Sequence, residues 1–298
     1  MVIEKKIKAS KIIELYKREL DIDVSKYFVS VSYVYLCRCI KSDIAIYLAD
    51  NLKPIFGLED LYDKLKEQLP KLYKTKYYVD EKWEYNLAVN AIENGSKVFE
   101  IGSGIGTFIE KISRTNGVSA IGCELNSDAV EQAKNKGLDV RLLNIKDAPD
   151  EMKEAFDVVC AFQVLEHVEN IHDFIRDALS LLRRNGKFMI AVPYSNPYLF
   201  KNDLFNVLNL PPHHLSLWNE KSFFFLETTF PLKLVDYKIQ TLAEYGYDFD
   251  RYCEVNTPLS FRINLPFEST LERFFRKYVR STIKHRRGKN IFVVFEKL

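Results

Sequence analysis

The chain has 298 residues, enough for one large domain with a smaller appendage. Its composition is ordinary for a soluble globular protein, with 47% hydrophobic and 28% charged residues. The formal net charge of +2 argues against a dedicated nucleic-acid binder, and no apolar run approaches the length needed to cross a bilayer.

The sequence predicts that residues 1–80 form a small mixed α+β unit. The first ten residues, MVIEKKIKAS, carry charge with no apolar core after it, so they do not predict a secretory signal. The apolar residues with helical spacing are Ile7, Ile12, Ile13, Tyr16 and Leu20. VSVSYVYLCRCI predicts a strand that turns back at Ser42 and Asp43 into IAIYL, and LEDLYDKLKEQL predicts a helix that ends at Pro70.

The five cysteines favour reduced thiols in the cytoplasm, because their number is odd and their spacing irregular. The closest pair, Cys37 and Cys39, alternates along a predicted strand and has no second pair. The sequence therefore predicts no metal site.

From about Lys82 the chain alternates helices with apolar strands. The strands are KVFEI, SAIGCE, DVRLL, FDVVCAF and GKFMIAVP, and the helices between them include TFIEKIS, SDAVEQAKN and IHDFIRDALSLL. This alternation predicts an α/β fold, a doubly wound and mostly parallel sheet with helices on both faces. After Pro193 it stops, and two late strands, PLKLVDYKIQTL and NIFVVFEKL, are expected side by side at the sheet edge. The predicted large domain spans residues 81–298, with an insertion at about 242–289.

A glycine-rich turn, VFEIGSGIGTFIE at residues 98–110, joins the first of these strands to a helix. Such a turn lies at the carboxyl ends of the strands and lets a ligand approach the backbone. A phosphate loop would end in Gly-Lys-Ser/Thr, but Gly106 is followed by Thr107 and Phe108. A dinucleotide site would place its third glycine at position 107, so the NAD interpretation is weakened but stays open.

Two acidic residues restrict the class of ligand that this turn can bind. Glu124 ends the second strand, where a carboxylate can accept both hydroxyls of a ribose. Glu100 precedes the first glycine, where it would repel a pyrophosphate and suits a cationic amino-acid group. The expected ligand carries a ribose and positive charge without phosphates, and S-adenosylmethionine has these properties.

Four blocks in order, VFEIGSGIGTF, GCELNSDAV, FDVVCAFQVLEHV and LLRRNGKFMIAVP, resemble the class I S-adenosylmethionine-dependent methyltransferases. The resemblance covers about residues 82–240 and the last strand, and it implies a seven-stranded Rossmann-like sheet whose final strand is antiparallel. The residues that it implies for the cofactor's methionine end are Glu100, Gly102, Ser103, Gly104 and Gly106. It implies Glu124 and Leu125 for the ribose. It implies Asn144 and Ile145 beside the adenine, and Phe162 and Gln163 where the pocket closes. Asp147 is an alternative to Asn144.

The flanks YYVDEKWEYN and PPHHLSLW look like bacterial methyltransferases linked to surface-polysaccharide and sugar-derivative biosynthesis. The aromatic residues Tyr77, Tyr78, Trp83 and Tyr85 either pack the first helix on the sheet or form a lid, where Tyr78 would face the sulfonium. Trp218 is interpreted as packing, with sugar stacking as the alternative.

Three histidines are candidates for catalysis. His167 follows the fourth strand, and His213 and His214 follow two prolines that stiffen the loop. Methyl transfer to oxygen needs a proton acceptor, and histidine can serve near neutral pH. The alternative for each is a local structural role.

The segment 273–289 carries eight basic residues and no acid. It predicts a solvated helix face, with contact to an anionic acceptor or to the inner membrane surface as alternatives.

The resulting prediction is a cytoplasmic enzyme that transfers a methyl group in line to a small polar acceptor, a hydroxyl of a sugar or sugar derivative that is free, nucleotide-linked or lipid-linked. RNA or protein methylation is a second hypothesis. The sequence lacks an Asn-Pro-Pro-Tyr-type block after the fourth strand, which argues against methylation of a base nitrogen. A cofactor-binding subunit without catalysis is a third.

Overall fold

A computed structural model describes residues 1–55, 59–73, 81–115, 117–197, 207–245, 277–278, 281–282 and 284–298. The candidate lid residue Tyr78 lies outside these ranges, as do residues 273–276, 279–280 and 283 of the basic segment 273–289. Among the described residues, no helix is long and apolar enough to cross a membrane.

The described chain contains two sheets with helices around them. The strands are β1 (Val2–Lys8), β2 (Tyr33–Arg38), β3 (Ala45–Ala49), β4 (Lys97–Ile101), β5 (Ser119–Glu124), β6 (Val140–Leu142), β7 (Phe156–Phe162), β8 (Leu182–Pro193), β9 (Ser216–Leu217), β10 (Leu232–Thr241) and β11 (Arg287–Lys297). The α-helices are α1 (Ala9–Leu20), α2 (Glu59–Tyr73), α3 (Trp83–Ala91), α4 (Thr107–Ile112), α5 (Ser127–Asn135), α6 (Ile171–Leu181) and α7 (Glu220–Leu226).

The large sheet has the order β10-β11-β8-β7-β4-β5-β6. Its central pairs are parallel, and β11 is antiparallel to both β8 and β10. The predicted fold is confirmed, including the two late strands that lie together at the edge. The strand order reverses between β4 and β7, so a crevice opens there at the carboxyl ends of the strands.

The helices bury apolar faces on this sheet. In α6, Ile175, Ala178 and Leu179 recur at helical spacing and are all buried. The side chain of Asn170 caps this helix by accepting from the backbone N–H of Asp173 at 3.2 Å. The Asn170 cap therefore fixes the start of α6 directly after the segment that follows β7.

The small sheet has the order β1-β2-β3-β9, so its last strand comes from much later in the chain. The pairing joins Ala45 to Leu217. Val207 and Leu210 belong to the same hydrophobic core as α1 and α2, and the hydroxyl of Tyr16 donates to the carbonyl of Leu210 at 2.8 Å. The segment 207–217 therefore completes the N-terminal unit. The domain boundary near residue 80 stays a prediction.

Two sequence expectations about this unit were wrong. Ile7 lies on β1 rather than on a helix, because residues 2–8 pair antiparallel with β2. Helix α2 continues through Pro70 to Tyr73, since a proline removes one backbone donor without forcing a helix to end there.

The interpretation of Trp218 as packing is confirmed. Its side chain is fully buried, stacks on Phe223 with ring centroids 5.1 Å apart, and donates from Nε1 to Ser216 Oγ at 2.9 Å. A sugar cannot reach this ring in the structure.

Arg287 is one of the described basic residues of the segment 273–289. Its guanidinium donates to the hydroxyl of Tyr194 and pairs with Glu220 at 2.9 Å. An acid distant in the sequence therefore partners this arginine at the start of β11.

Candidate functional site

The loop after β4 crosses to the neighbouring strand and bonds to it. The backbone N–H groups of Gly102 and Ser103 both donate to the carbonyl of Cys123, at 2.8 and 3.0 Å. Ser103 is buried, and its hydroxyl reaches the same carbonyl at 3.3 Å. One carbonyl of β5 therefore holds the turn in place.

Two of the loop glycines are required by their geometry. Gly102 has a φ of 71° and Gly106 a φ of 76°, a region that residues with a Cβ rarely adopt. A Cβ at Gly102 would lie 2.5 Å from Val164 Cγ2, and one at Gly106 would lie 2.6 Å from Leu138 Cδ1. The loop has no room for side chains at these positions.

Glu124 ties the ends of both strands together. Its Oε2 accepts from the N–H of Gly104 at 2.9 Å, and its Oε1 accepts from the N–H groups of Leu125 and Asn126 at 2.7 and 3.0 Å. A carboxylate has about four acceptor sites. About one, on Oε2, is therefore left for a ligand hydroxyl, where the sequence argument had assigned both hydroxyls of a ribose.

Glu100 lies at the bottom of the crevice with 2% of its surface exposed. Its Oε2 has no hydrogen-bond partner among the described residues. Burial raises the pKa of Glu100 to about 8, against the attraction of Lys82 and with a contribution from Glu124. An unpartnered buried carboxyl oxygen suits a cationic ligand group, and this is the observation by which the site fits the ammonium of S-adenosylmethionine.

Other predicted cofactor residues lie around this crevice with different exposures. Asn144 is half-buried and its side chain accepts from the N–H of Lys146 at 3.3 Å, whereas Ile145 is buried in the main core. Leu125 is 57% exposed at the rim. Asn144 and Leu125 are thus the members of this group whose side chains a ligand can reach.

Phe162 and Gln163 differ in where their side chains lie. Phe162 is buried and packs edge-on against Phe108, with ring centroids 5.0 Å apart, so only its backbone can border a ligand. Gln163 has a φ of 59°, a conformation uncommon for a residue with a side chain, and donates from Nε2 to Glu84 at 3.1 Å. This bond joins α3 to the end of β7.

Sequence reasoning missed Glu84, Lys82 and Tyr62. Glu84 is 1% exposed, although a glutamate in the first turn of a helix ordinarily faces water. Lys82 interacts electrostatically with both Glu100 and Glu166, and its charge lowers the pKa of each against the effect of burial. The sequence offered no signal for these, because their roles depend on how α2 and α3 lie against the sheet.

The three candidate histidines lie together. One ring nitrogen from each of His167, His213 and His214 falls within 4.8 Å of the others. Their ring centroids are 4.6 to 4.9 Å apart. Burial lowers the pKa of His167 to about 3 and that of His213 to about 4, and it lowers the pKa of His214 as well. All three imidazoles are therefore neutral at physiological pH.

Glu166 and Tyr62 border the histidine cluster. Glu166 is 1% exposed, and neither carboxyl oxygen has a hydrogen-bond partner among the described residues. Its Oε1 is 3.8 Å from His167 Nε2, and burial raises the pKa of Glu166 to about 8. The Tyr62 ring meets His167 edge-on at 5.8 Å, and its hydroxyl interacts electrostatically with both Glu166 and Glu124. Tyr62 therefore lies close enough to both the histidine cluster and the end of β5 to interact with their carboxylates.

Comparison with known proteins identifies the class of this site. The family model described as "Methyltransferase domain" matches residues 73–228, slightly more than half of the chain. The chain therefore belongs to the methyltransferase domain family. The ordered sequence blocks and the sheet order agree with a class I methyltransferase domain whose cofactor is S-adenosylmethionine.

Two relatives show how far the similarity extends. A ubiquinone biosynthesis O-methyltransferase of Pelagibacter ubique is 34% identical over 99 residues, 32% of this chain and 41% of that protein. An uncharacterized protein of Methanocaldococcus jannaschii is 29% identical over 151 residues, 50% of this chain and 57% of that protein. The chain thus spans about half the length of these curated relatives.

Solved structures share the fold at low identity. Coclaurine N-methyltransferase, bound to N-methylheliamine and SAH, matches with a TM-score of 0.50 and 13% identity over 72% of each chain. A chain from the complex that contains the Haloferax volcanii Trm112 methyltransferase activator matches with a TM-score of 0.51 and 15% identity, over 72% of this chain and 89% of that one. These similarities concern the fold alone.

Substituting Gly102 by alanine is expected to weaken cofactor binding beyond the cost of its positive φ. Gly137 is the matched control, because it has a φ of 78° but nothing within 4 Å of an added Cβ. We expect Gly137→Ala to cost about 1 kcal/mol of stability and to leave cofactor affinity unchanged. We expect Gly102→Ala to cost more and to abolish measurable binding of S-adenosylhomocysteine by calorimetry. Equal affinities of the two variants for S-adenosylhomocysteine would contradict the conclusion that the loop has no room for a Cβ at Gly102.

Substituting Glu124 by alanine is expected to lower cofactor affinity at least about tenfold while the fold is retained. The variant also loses the acceptor of three backbone N–H groups, so its unfolding midpoint in urea should fall. Glu110→Ala is the control, because the half-buried Glu110 pairs its carboxylate with Arg114 and not with a group of the loop. Unchanged binding of S-adenosylmethionine in a folded Glu124→Ala protein would rule out the ribose role.

Glu100 is expected to make the ligand-free protein less stable as the pH rises. Its pKa is raised in the folded state, so its stabilising effect is full below the unfolded value of about 4.5 and is lost as the pH passes through about 8. Glu100→Gln should flatten this dependence in urea unfolding at pH 5, 7 and 9. Glu110→Gln should keep the slope of the unmodified protein, and parallel profiles for all three proteins would show that Glu100 is not protonated on folding.

Proposed function

We propose that the enzyme methylates a hydroxyl oxygen of a small polar acceptor, a sugar or a sugar derivative. The supporting observation is the histidine cluster: three neutral imidazoles and a buried carboxyl group at the carboxyl end of β7, in the crevice that also holds Glu124. A hydroxyl must lose its proton when its oxygen is methylated, and neutral imidazoles can accept it.

In this proposal the residues divide into two groups. Glu100, the glycine loop and Glu124 bind and orient the cofactor, which supplies an electrophilic methyl group on a sulfonium when it is bound. His167, His213 or His214 takes the proton from the acceptor hydroxyl, while the oxygen lone pair forms the new C–O bond and the S–C electron pair stays on sulfur. His214 and Glu166 are buried and His167 and His213 are half-buried, which limits the access of water to this cluster.

A second candidate acceptor is a phenolic hydroxyl. The Pelagibacter relative, 34% identical over 99 residues, is an O-methyltransferase of ubiquinone biosynthesis, which supports oxygen as the methylated atom and an aromatic acceptor. The flanking motifs YYVDEKWEYN and PPHHLSLW support the sugar instead. Both acceptors require the same proton transfer, so they differ in the walls of the pocket rather than in the chemistry.

The test follows a labelled methyl group. The purified protein is incubated with S-adenosylmethionine carrying a tritiated methyl group and, separately, with sugar nucleotides, lipid-linked sugars, catechols, RNA and protein. We expect label in a base-stable methyl ether of a sugar fraction, and none with the Gly102→Ala variant. Label in catechols would keep O-methylation and replace the acceptor, whereas label in RNA or protein, or in no fraction, would overturn the proposal.

A further inference from the structure

The histidine cluster is built from two segments that are bonded to each other. His167 ends a short 3-10 turn, Leu165–His167, directly after β7, and His213 and His214 lie in the loop before β9. The N–H of Leu215 donates to the carbonyl of Glu166 at 2.8 Å, which fixes the second segment against the first. The three rings are thus held by backbone contacts on both sides.

The hydrogen bonds of two histidines define which nitrogen is free. His167 Nδ1 is 2.7 Å from the carbonyl oxygen of His213, and His213 Nδ1 is 2.9 Å from the carbonyl oxygen of Leu208. A carbonyl oxygen only accepts, so Nδ1 carries the proton in both rings, and Nε2 carries a lone pair. Histidines that ligate metals are typically held in this way, with the other ring nitrogen donating to a carbonyl or carboxylate.

The remaining polar atoms lack partners. His214 Nδ1 and both oxygens of Glu166 are buried with no hydrogen-bond partner among the described residues. Each such group costs about 1–3 kcal/mol of stability if it stays unsatisfied. Ring stacking explains why three imidazoles lie close together, but it does not satisfy these three atoms. A cation held by the three imidazoles would bind their lone pairs and would offset the buried charge of Glu166 beside them.

We propose that His167, His213 and His214, with Glu166 beside them, form a binding site for a divalent transition-metal ion, with Zn²⁺ as the ion that best suits the donor set. Imidazole nitrogen with one carboxylate oxygen is a common zinc environment. Tetrahedral zinc with Zn–N bonds of about 2.0–2.1 Å needs nitrogens about 3.4 Å apart. Ring nitrogens separated by as much as 4.8 Å therefore move inward by side-chain rotation on binding.

The role of the ion rests on the proposed function. A divalent ion beside the acceptor hydroxyl would lower the pKa of that hydroxyl and hold its oxygen toward the methyl group. With the ion bound, the three imidazoles serve as its ligands, and the carboxylate of Glu166 accepts the hydroxyl proton in place of a histidine. The ion is needed for the acceptor and not for the cofactor, which lies at the glycine loop.

Metal binding is tested without any acceptor, so the result does not depend on the proposed function. The full-length protein is dialysed against EDTA and titrated with Zn²⁺ by calorimetry, with Co²⁺ absorption in the visible range reporting nitrogen coordination. We expect one equivalent of Zn²⁺ with micromolar or tighter affinity. His213→Gln should weaken binding at least about 100-fold. His172→Gln is the control, because His172 is exposed on α6 and lies outside the cluster.

Several outcomes would overturn the site. The site is wrong if the unmodified protein binds less than about a tenth of an equivalent of Zn²⁺. It is also wrong if His172→Gln lowers the Zn²⁺ affinity as much as His213→Gln does. If His213→Gln fails to fold by circular dichroism, the Co²⁺ spectrum of the unmodified protein decides, because absorption bands of a six-oxygen environment would contradict histidine ligation. If the protein binds Zn²⁺ but methylates none of the acceptors, the metal site is supported and the proposed function is wrong.

Discussion

The structure depends on the attachment of the first glycine turn to the neighbouring strand. The carbonyl of Cys123 receives two backbone N–H groups from the turn, and the carboxylate of Glu124 receives a third from Gly104. These bonds cross from β4 to β5 at the edge where the strands end. The buried Glu100 lies on β4 directly before this loop. The proposed cofactor site therefore depends on two adjacent strand ends and not on the glycine spacing alone.

The second half of the site depends on the N-terminal unit. Helix α2 brings Tyr62 against His167, and the Tyr62 hydroxyl interacts electrostatically with Glu166. Lys82, which follows this unit, interacts with both buried acids. Burial raises the pKa values of Glu100 and Glu166. The small unit thus contributes to the chemistry of the site.

The parts that could be predicted from the sequence are those with local signals. Alternating helices and apolar strands indicated the sheet, and acids at the ends of β4 and β5 indicated the ligand class. Each of the three histidines was also recognised, but their meeting was not, because His167 and His213 are 46 positions apart and come together only through the loop before β9. Glu84 was missed for a similar reason, since its partner Gln163 lies 79 positions away. Strand β1 was missed because its pairing with β2, not its own pattern, makes it a strand.

The late strand β9 has a consequence for how the protein is made. Tyr16 and Leu210, which bond to each other in the N-terminal core, are 194 positions apart. On the ribosome, β1 to β3 emerge long before the residues that cover them, so the nascent chain carries an unpaired edge on β3 and an uncovered apolar surface. A chaperone that shields this edge during translation would act on the first fifty residues, well before the methyltransferase fold exists.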